Sequence, residues 1–444
     1  MERPTLPTRA AQGATVRPPH RRSPRRGIVA ILLALAALGA LGALVGCMPS
    51  FRPAPSPEGI LPTATARPRA TPVTTIAGPP ASTPIAPPTG LVPARTIAFA
   101  SDRDGQVDLY LTDIEIGQPI RLTNDTAIES FPTWSPDGTT IAYVVEDERS
   151  VRNLWILDLR TGIHRQLTRE EPPFDVRRPA WLRGGRVLIY DTGKPFDRRP
   201  ELRAVTIEGQ RLSPIVPAEG NIIYDWSTNG ETLICAVGQV IGEPRIVVTD
   251  AVPGATLTLQ PDAPVGFAVE ISPDGRYATF AGPPLSDDQV TSLLDLTLGT
   301  AVPLNETVRG RRYEHDFAWL PDNQRLALVH GAGGVTDGQG RLKVGSDAPP
   351  TSDGAAGLWL MMIAGPTGEK ARTQLTTGSA DAAPRPSPDG RWIVYLTDTQ
   401  KPTPTASNIM LIGVKPSPGS QAYIPKNLTP DAGNNWSPAW MSLP

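Results

Sequence analysis

From about residue 95 onward the apolar residues come in short runs of three to five, and each run is closed by glycine, proline, aspartate or asparagine. Ile97-Ala98-Phe99-Ala100, Leu109-Tyr110-Leu111, Ile141-Ala142-Tyr143-Val144-Val145, Leu154-Trp155-Ile156-Leu157 and Trp392-Ile393-Val394-Tyr395-Leu396 are the clearest. Runs this short, rich in β-branched and aromatic residues and bounded by turn formers, read as strands, and few stretches carry the period of an amphipathic helix. The pattern predicts an all-β chain.

The runs are ordered into a repeat. Trp134-Ser135-Pro136-Asp137-Gly138 stands before one strand and Ser387-Pro388-Asp389-Gly390 before another, and weaker copies begin at Trp181, Trp226, Ile271 and Trp319, with a last anchor at Trp440. The anchors at 134, 181, 226, 271, 319, 386 and 440 lie 47, 45, 45, 48, 67 and 54 residues apart. A period of 40 to 50 residues is the mark of a propeller. In Pro-Asp-Gly the proline presets φ, the aspartate accepts a local backbone hydrogen bond and the glycine takes positive φ, which folds a strand back on itself. Four units close with Leu-Thr, at 122-123, 167-168, 375-376 and 428-429. An anchor strand, a turn, two further strands and an outer strand make one four-stranded antiparallel blade.

These residues resemble the TolB-type, WD40-like (PD40) propeller repeat, in which a proline two before tryptophan is followed by Ser-Pro-Asp-Gly, an Ile-Ala-Phe-like strand and a terminal Leu-Thr. Pro132, Pro179, Pro384 and Pro438 occupy the proline position. The resemblance runs from Thr96 to Pro444 and implies a fold used for protein contacts in the cell envelope. TolB itself would imply six blades and a preceding α/β domain, so a role in the Tol-Pal system is not carried over. The ends argue for a closed ring. Thr96-Ile97-Ala98-Phe99-Ala100-Ser101 is a second strand with no anchor before it, and Pro438-Ala439-Trp440 is an anchor strand with no second strand after it. Paired, they complete a seventh blade and leave only short sheet edges. A single closed β-propeller of seven four-stranded blades over residues 95–444 is the expectation, with six and eight open if a degenerate unit is misread. The long interval holds a Gly-rich insertion at 331–357, read as flexible.

The first 94 residues are different in kind. A basic leader with Arg17, Arg21, Arg22, Arg25 and Arg26 precedes 20 apolar residues at 27–46, the layout of an export signal. Leu44-Val45-Gly46-Cys47 resembles the bacterial lipobox, which implies lipidation at Cys47 and removal of 1–46; an uncleaved anchor helix is the alternative, and the export route stays open. Residues 47–94 begin with the lipidated cysteine and continue as a Pro-, Thr- and Ala-rich tether with 13 prolines and no periodicity, expected to be disordered. At about 3.1 Å per residue, such a tether reaches on the order of 100 Å when extended. Both readings place the propeller outside the cytoplasm, at the cell envelope or surface.

Without residues 1–46 the chain loses seven of its 42 basic and one of its 44 acidic residues, for a net charge of −8. No basic footprint for nucleic acid remains. With Cys47 assigned to the anchor, Cys235 has no disulfide partner and sits in an apolar run. The segments leading into the anchor strands carry the polar residues that could ring one mouth of the central channel: Glu129, Arg177, Arg178, Tyr224, Asp225, Glu270, Glu314, His315, Asp316, Asp381, Asn434 and Asn435. Such a mixed ring suits a peptide or protein better than an apolar molecule. The expected function is a membrane-anchored binding scaffold or sensor with an envelope or extracellular protein partner. No cofactor, catalytic residue or metal site is assigned. The alternative is a propeller enzyme, a hydrolase or polysaccharide lyase acting on extracellular peptide or glycan. Against it stand the absence of a Gly-x-Ser-x-Gly elbow and the presence of only three histidines beyond the leader, His164, His315 and His330.

Overall fold

The computed structural model describes residues 88–443, apart from 173–174, 194–200, 213–221, 239–244, 251–255, 260–266, 282–290, 305–313, 331–334, 337–341, 344–355, 364–370, 379, 399–406, 417–421 and 431–432. At 193, 222, 224, 250, 256–259, 267–268, 281, 314–315, 335–336 and 342–343 the backbone alone is described. The leader, Cys47 and the tether to residue 87 therefore lie outside the described residues. Among the described residues no helix is long and apolar enough to cross a membrane.

Antiparallel sheets follow one another along the chain as the blades of a seven-bladed ring. Blade 1 is closed by both ends: the strand Asn435–Trp440 pairs with Thr96–Ser101, with Ile97 opposite Trp440 and Ser101 opposite Asn435. The inner strands of blades 2 to 7 are Ile128–Trp134, Asp175–Trp181, Ile222–Thr228, Phe267–Ile271, Glu314–Trp319 and Ala382–Pro386. Blade 3 has three strands among the described residues, and its fourth begins where Arg211 bridges Val205 and the Leu212 amide bonds the Ala204 carbonyl. The middle of most second strands is apolar on both faces because a neighbouring blade covers each side; Ile97 to Ala100, Ile141 to Val144 and Leu233 to Val237 are buried.

The sequence repeat has a bond for each part. In the Ser-Pro-Asp-Gly turns the Ser135 Oγ donates to Asp137 at 2.6 Å and accepts the Thr140 amide at 3.0 Å, and Ser387 does the same with Asp389 at 2.5 Å and Trp392 at 3.0 Å. Ser272-Pro273-Asp274-Gly275, after the weak anchor Ile271, makes the same pair at 2.7 and 2.9 Å, so the turn of this unit is intact. The Thr of Leu-Thr accepts an amide of the third strand: Leu109 to Thr123, Leu154 to Thr168, Leu358 to Thr376 and Ile409 to Thr429, all at 2.8 to 2.9 Å.

The anchor tryptophans hold blades together. Four of the five anchor indole N–H groups cross to the preceding blade and meet the carbonyl just before that blade's own anchor: Trp134 to Ala439, Trp181 to Thr133, Trp319 to Glu270 and Trp440 to Arg385, at 3.1, 3.1, 3.4 and 2.8 Å. A large ring buried at the seam with its one polar atom satisfied is the most stabilising way to use tryptophan there. The insertion of blade 6 contains a two-stranded hairpin, Val335–Thr336 with Leu342–Lys343, and its expected end at 357 belongs instead to the third strand, Gly357–Met362. Glycine is needed at 357 because φ is +134° and a Cβ would run into the Thr376 carbonyl.

Candidate functional site

Every inner strand has a register break in its pairing with the second strand, a bulge that comes one to four residues before the anchor. At Phe131, Arg178, Asp316, Ala383 and Ser437 the bulged residue takes φ between 43° and 52°, and in four of the five a proline follows. A residue before proline is pushed out of the right-handed helical region, and the bulge gives it the left-handed one. The bulge divides each inner strand into an upstream and a downstream tier. Four residues of strand, about 13 Å, separate the fifth position before the anchor from the first.

The upstream tier faces inward between blades. Glu129, Asp381 and Asn435 stand five residues before their anchors and are fully or almost fully buried. Each bonds the preceding blade: Thr123 Oγ1 donates to Glu129 at 3.2 Å, Thr376 Oγ1 donates to Asp381, and Asn435 Nδ2 donates to the Ser407 carbonyl at 3.0 Å. Glu129 Oε1 has no hydrogen-bond partner. Burial, with Asp125 beside it, pushes its carboxyl well above the usual range. Asn434 is bound to Asp102 at 2.6 and 2.7 Å, next to Arg103, which bonds Asn435 at 2.9 Å and lies over the rings of Phe99 and Tyr110. These contacts fasten the closing strand. Arg177 approaches Asp175 at 3.9 Å.

The downstream tier lines the axis. Arg178 lies between Asp191, at 3.0 Å, and Asp225, at 2.7 Å, with its guanidinium 5.4 Å from the centre of the Trp226 ring. Burial works against its charge, but the two carboxylates outweigh that and raise its pKa. Asp225 also accepts the Val269 amide at 3.0 Å, and Asp316 accepts the Ala383 amide at 3.0 Å, so both tie one inner strand to the next. Asp225, Glu270 and Arg385 share one register, the residue before the anchor; Thr133, Ala180, Ala318 and Ala439 fill it in the other blades. Burial pushes the Glu270 carboxyl up to about 7, against the pull of Arg385 and a hydrogen bond from Ser227. Arg385 is exposed and gives one hydrogen bond, to the Pro384 carbonyl at 2.9 Å. The side chains of Tyr224, Glu314 and His315 lie outside the described residues.

Asp191 and Arg385 were not among the sequence candidates. Arg385 could have been found by holding to a single register, one residue before each anchor; Asp191, on a second strand, gives no such signal. His164 Nδ1 bonds the Tyr143 hydroxyl at 2.7 Å and His330 is buried edge-on to Trp359, so each serves its own blade. Cys235 is buried, and burial pushes its thiol up. Among the described residues no three metal-ligating side chains come together.

Residues 103–177 match the family profile of the dipeptidyl peptidase IV N-terminal region. The Tol-Pal system protein TolB of Francisella tularensis subsp. mediasiatica is 34% identical over 86 residues, 19% of this chain and 20% of that protein, so the match spans about a fifth of the relative's length. Among solved structures, an oligogalacturonate lyase from Vibrio parahaemolyticus superposes with a TM-score of 0.52 at 14% identity, covering 73% of this chain and 87% of that one. The β-propeller domain of the Trilobed protease from Pyrococcus furiosus gives 0.50 at 13%, covering 76% and 93%. At such identities the two structures establish the fold alone. The chain is a seven-bladed β-propeller whose sequence relatives include TolB proteins.

Proposed function

We propose that the chain is an extracytoplasmic lipoprotein, attached through Cys47 and spaced from the membrane by residues 48–94, whose propeller binds a protein or peptide segment in its central channel. The observation that carries the reading is the downstream tier: Arg178, Asp225, Glu270 and Arg385 bring two cations and two carboxyls to the strands around the axis, three of them in one register among small neighbours. Convergent, unlike charges on rigid strands select orientation in a polar ligand and repel an apolar one. The engagement of His164 and His330 within their own blades favours binding over histidine chemistry.

A photo-crosslinking amino acid placed at Thr133 or Ala439, in the channel register, should capture a partner in the producing cell, whereas one at Arg160, on an outer turn, should not. Capture at Arg160 alone would remove the channel from the reading. For the anchor, Cys47→Ala should abolish labelling by radioactive palmitate; labelling that persists would refute lipidation at that residue.

A further inference from the structure

We propose that the channel captures the free carboxylate at the C-terminus of a polypeptide, with Arg385 as the partner of the carboxylate and Glu270 as the acceptor for the last amide N–H. The inference rests on the channel reading above and names the part of the ligand that the channel takes.

Three features point to it. First, the cations of the tier are not equivalent. Arg178 is held by two carboxylates, Asp191 and Asp225, and has no charge left to offer. Arg385 is exposed and satisfies one of its five N–H groups on a neighbouring carbonyl, so its planar fork is open to a bidentate anion. Second, the surroundings select among anions. With Asp225 and Arg385 both acting on Glu270, a dianion such as a phosphate ester meets more repulsion than one guanidinium offsets, while a carboxylate carries a single charge. Glu270 takes up a proton more readily than an ordinary glutamate, which lessens its own repulsion of that charge. Third, the geometry of a chain end fits. Its carboxylate and last amide N–H are an acceptor and a donor borne by one Cα, matched by Arg385 and Glu270 in the same register of two inner strands, with Ala318 between them and Ala439 beyond. Ala439, half-buried, leaves the space that a side chain of the ligand needs.

The test uses the full chain, immobilised, and two pools of random-sequence pentapeptides that differ only in ending as free acid or as amide. The acid pool should be retained at least about tenfold better, and Arg385→Gln should erase the difference. This variant changes a side chain whose single bond is local, and an unchanged melting temperature verifies its fold. Equal retention of the two pools by the native chain would overturn carboxylate capture while leaving peptide binding in the channel standing. Retention of neither pool would overturn both. Displacement of bound acid peptides by glucuronate at equal concentration would reassign Arg385 to acidic sugars and also overturn the inference.

Discussion

Two seams of the ring are built from the same residue by different means. Between blades 7 and 1, the Trp440 indole N–H reaches the Arg385 carbonyl at 2.8 Å, a neutral bond inside a closed interface. Between blades 3 and 4 the backbone carbonyl is not used. Trp226 turns its N–H to the Asp191 carboxylate at 3.4 Å, and Arg178, 43% exposed, ties Asp191 to Asp225 across the seam. The cause is local: the inner strand of blade 4 has Tyr224-Asp225 before its anchor where blades 1, 2, 3 and 7 have a bulged residue, a proline and one more. Asp225 therefore comes into the position where it meets Arg178. Apart from the Lys426 ammonium on the Ile114 carbonyl, one seam is held by hydrophobic burial and neutral hydrogen bonds, the other by a charge network open to water. Salt should tell them apart.

The largest effect is expected from Trp440→Ala, which empties the closing seam and leaves the Arg385 carbonyl unpaired. A loss of about 4 kcal/mol is the usual scale for deleting a buried tryptophan. In urea the unfolding midpoint should fall markedly and by the same amount in low salt and in about 0.5 M NaCl. A salt-dependent loss would mean that the seam is not the neutral interface described. Asp191→Ala comes next. It removes one of two carboxylates from Arg178 and the only acceptor of the Trp226 indole, at a cost of about 2 to 3 kcal/mol. Here the gap between variant and native chain should narrow at high salt, because the partly exposed network is screened. A gap that does not change with salt would put the Asp191 contribution in packing.

The closure was legible in the sequence because it rests on a pairing that needs no geometry: Thr96–Ser101 lacks a partner on one side and Asn435–Trp440 on the other. The turns were legible because Ser-Pro-Asp-Gly encodes its own bonds. The site was less so. The candidates mixed registers, and a strand sends alternate side chains in opposite directions, with a bulge in every inner strand to shift the alternation once more. Glu129, Asp381 and Asn435 consequently sit between blades, while Asp225, Glu270 and the unsuspected Arg385 share the register beside the axis. No pattern along one chain could reveal that the anchor tryptophans donate to the preceding blade, since the acceptor is a backbone carbonyl 48 to 55 residues away, or 305 for Trp134 where the ring closes.

The smallest effect, and the one that adds pH to salt as a probe of the seams, is expected from Glu129→Gln. Glu129 belongs to the seam between blades 1 and 2, where Asp108, Arg121, Thr123 and Asp125 approach from blade 1 and Tyr143 and His164 from blade 2. Glutamine keeps the shape and an oxygen for the Thr123 hydroxyl, so little packing is lost. Proton linkage is what changes. A carboxyl with its folded pKa above the unfolded value binds more protons in the folded state, and stability falls as pH rises from about 4.5 towards the raised pKa. Glu270, Asp381 and Asp108 are shifted in the same direction and add to the slope in both proteins, so only the difference between them reports on Glu129. The native chain should lose more melting temperature than Glu129→Gln between pH 5 and pH 8, with the two converging at the acid end. Parallel pH profiles would mean that Glu129 is ionised in the fold, and its unpartnered oxygen would then have to face a cation or water in that seam.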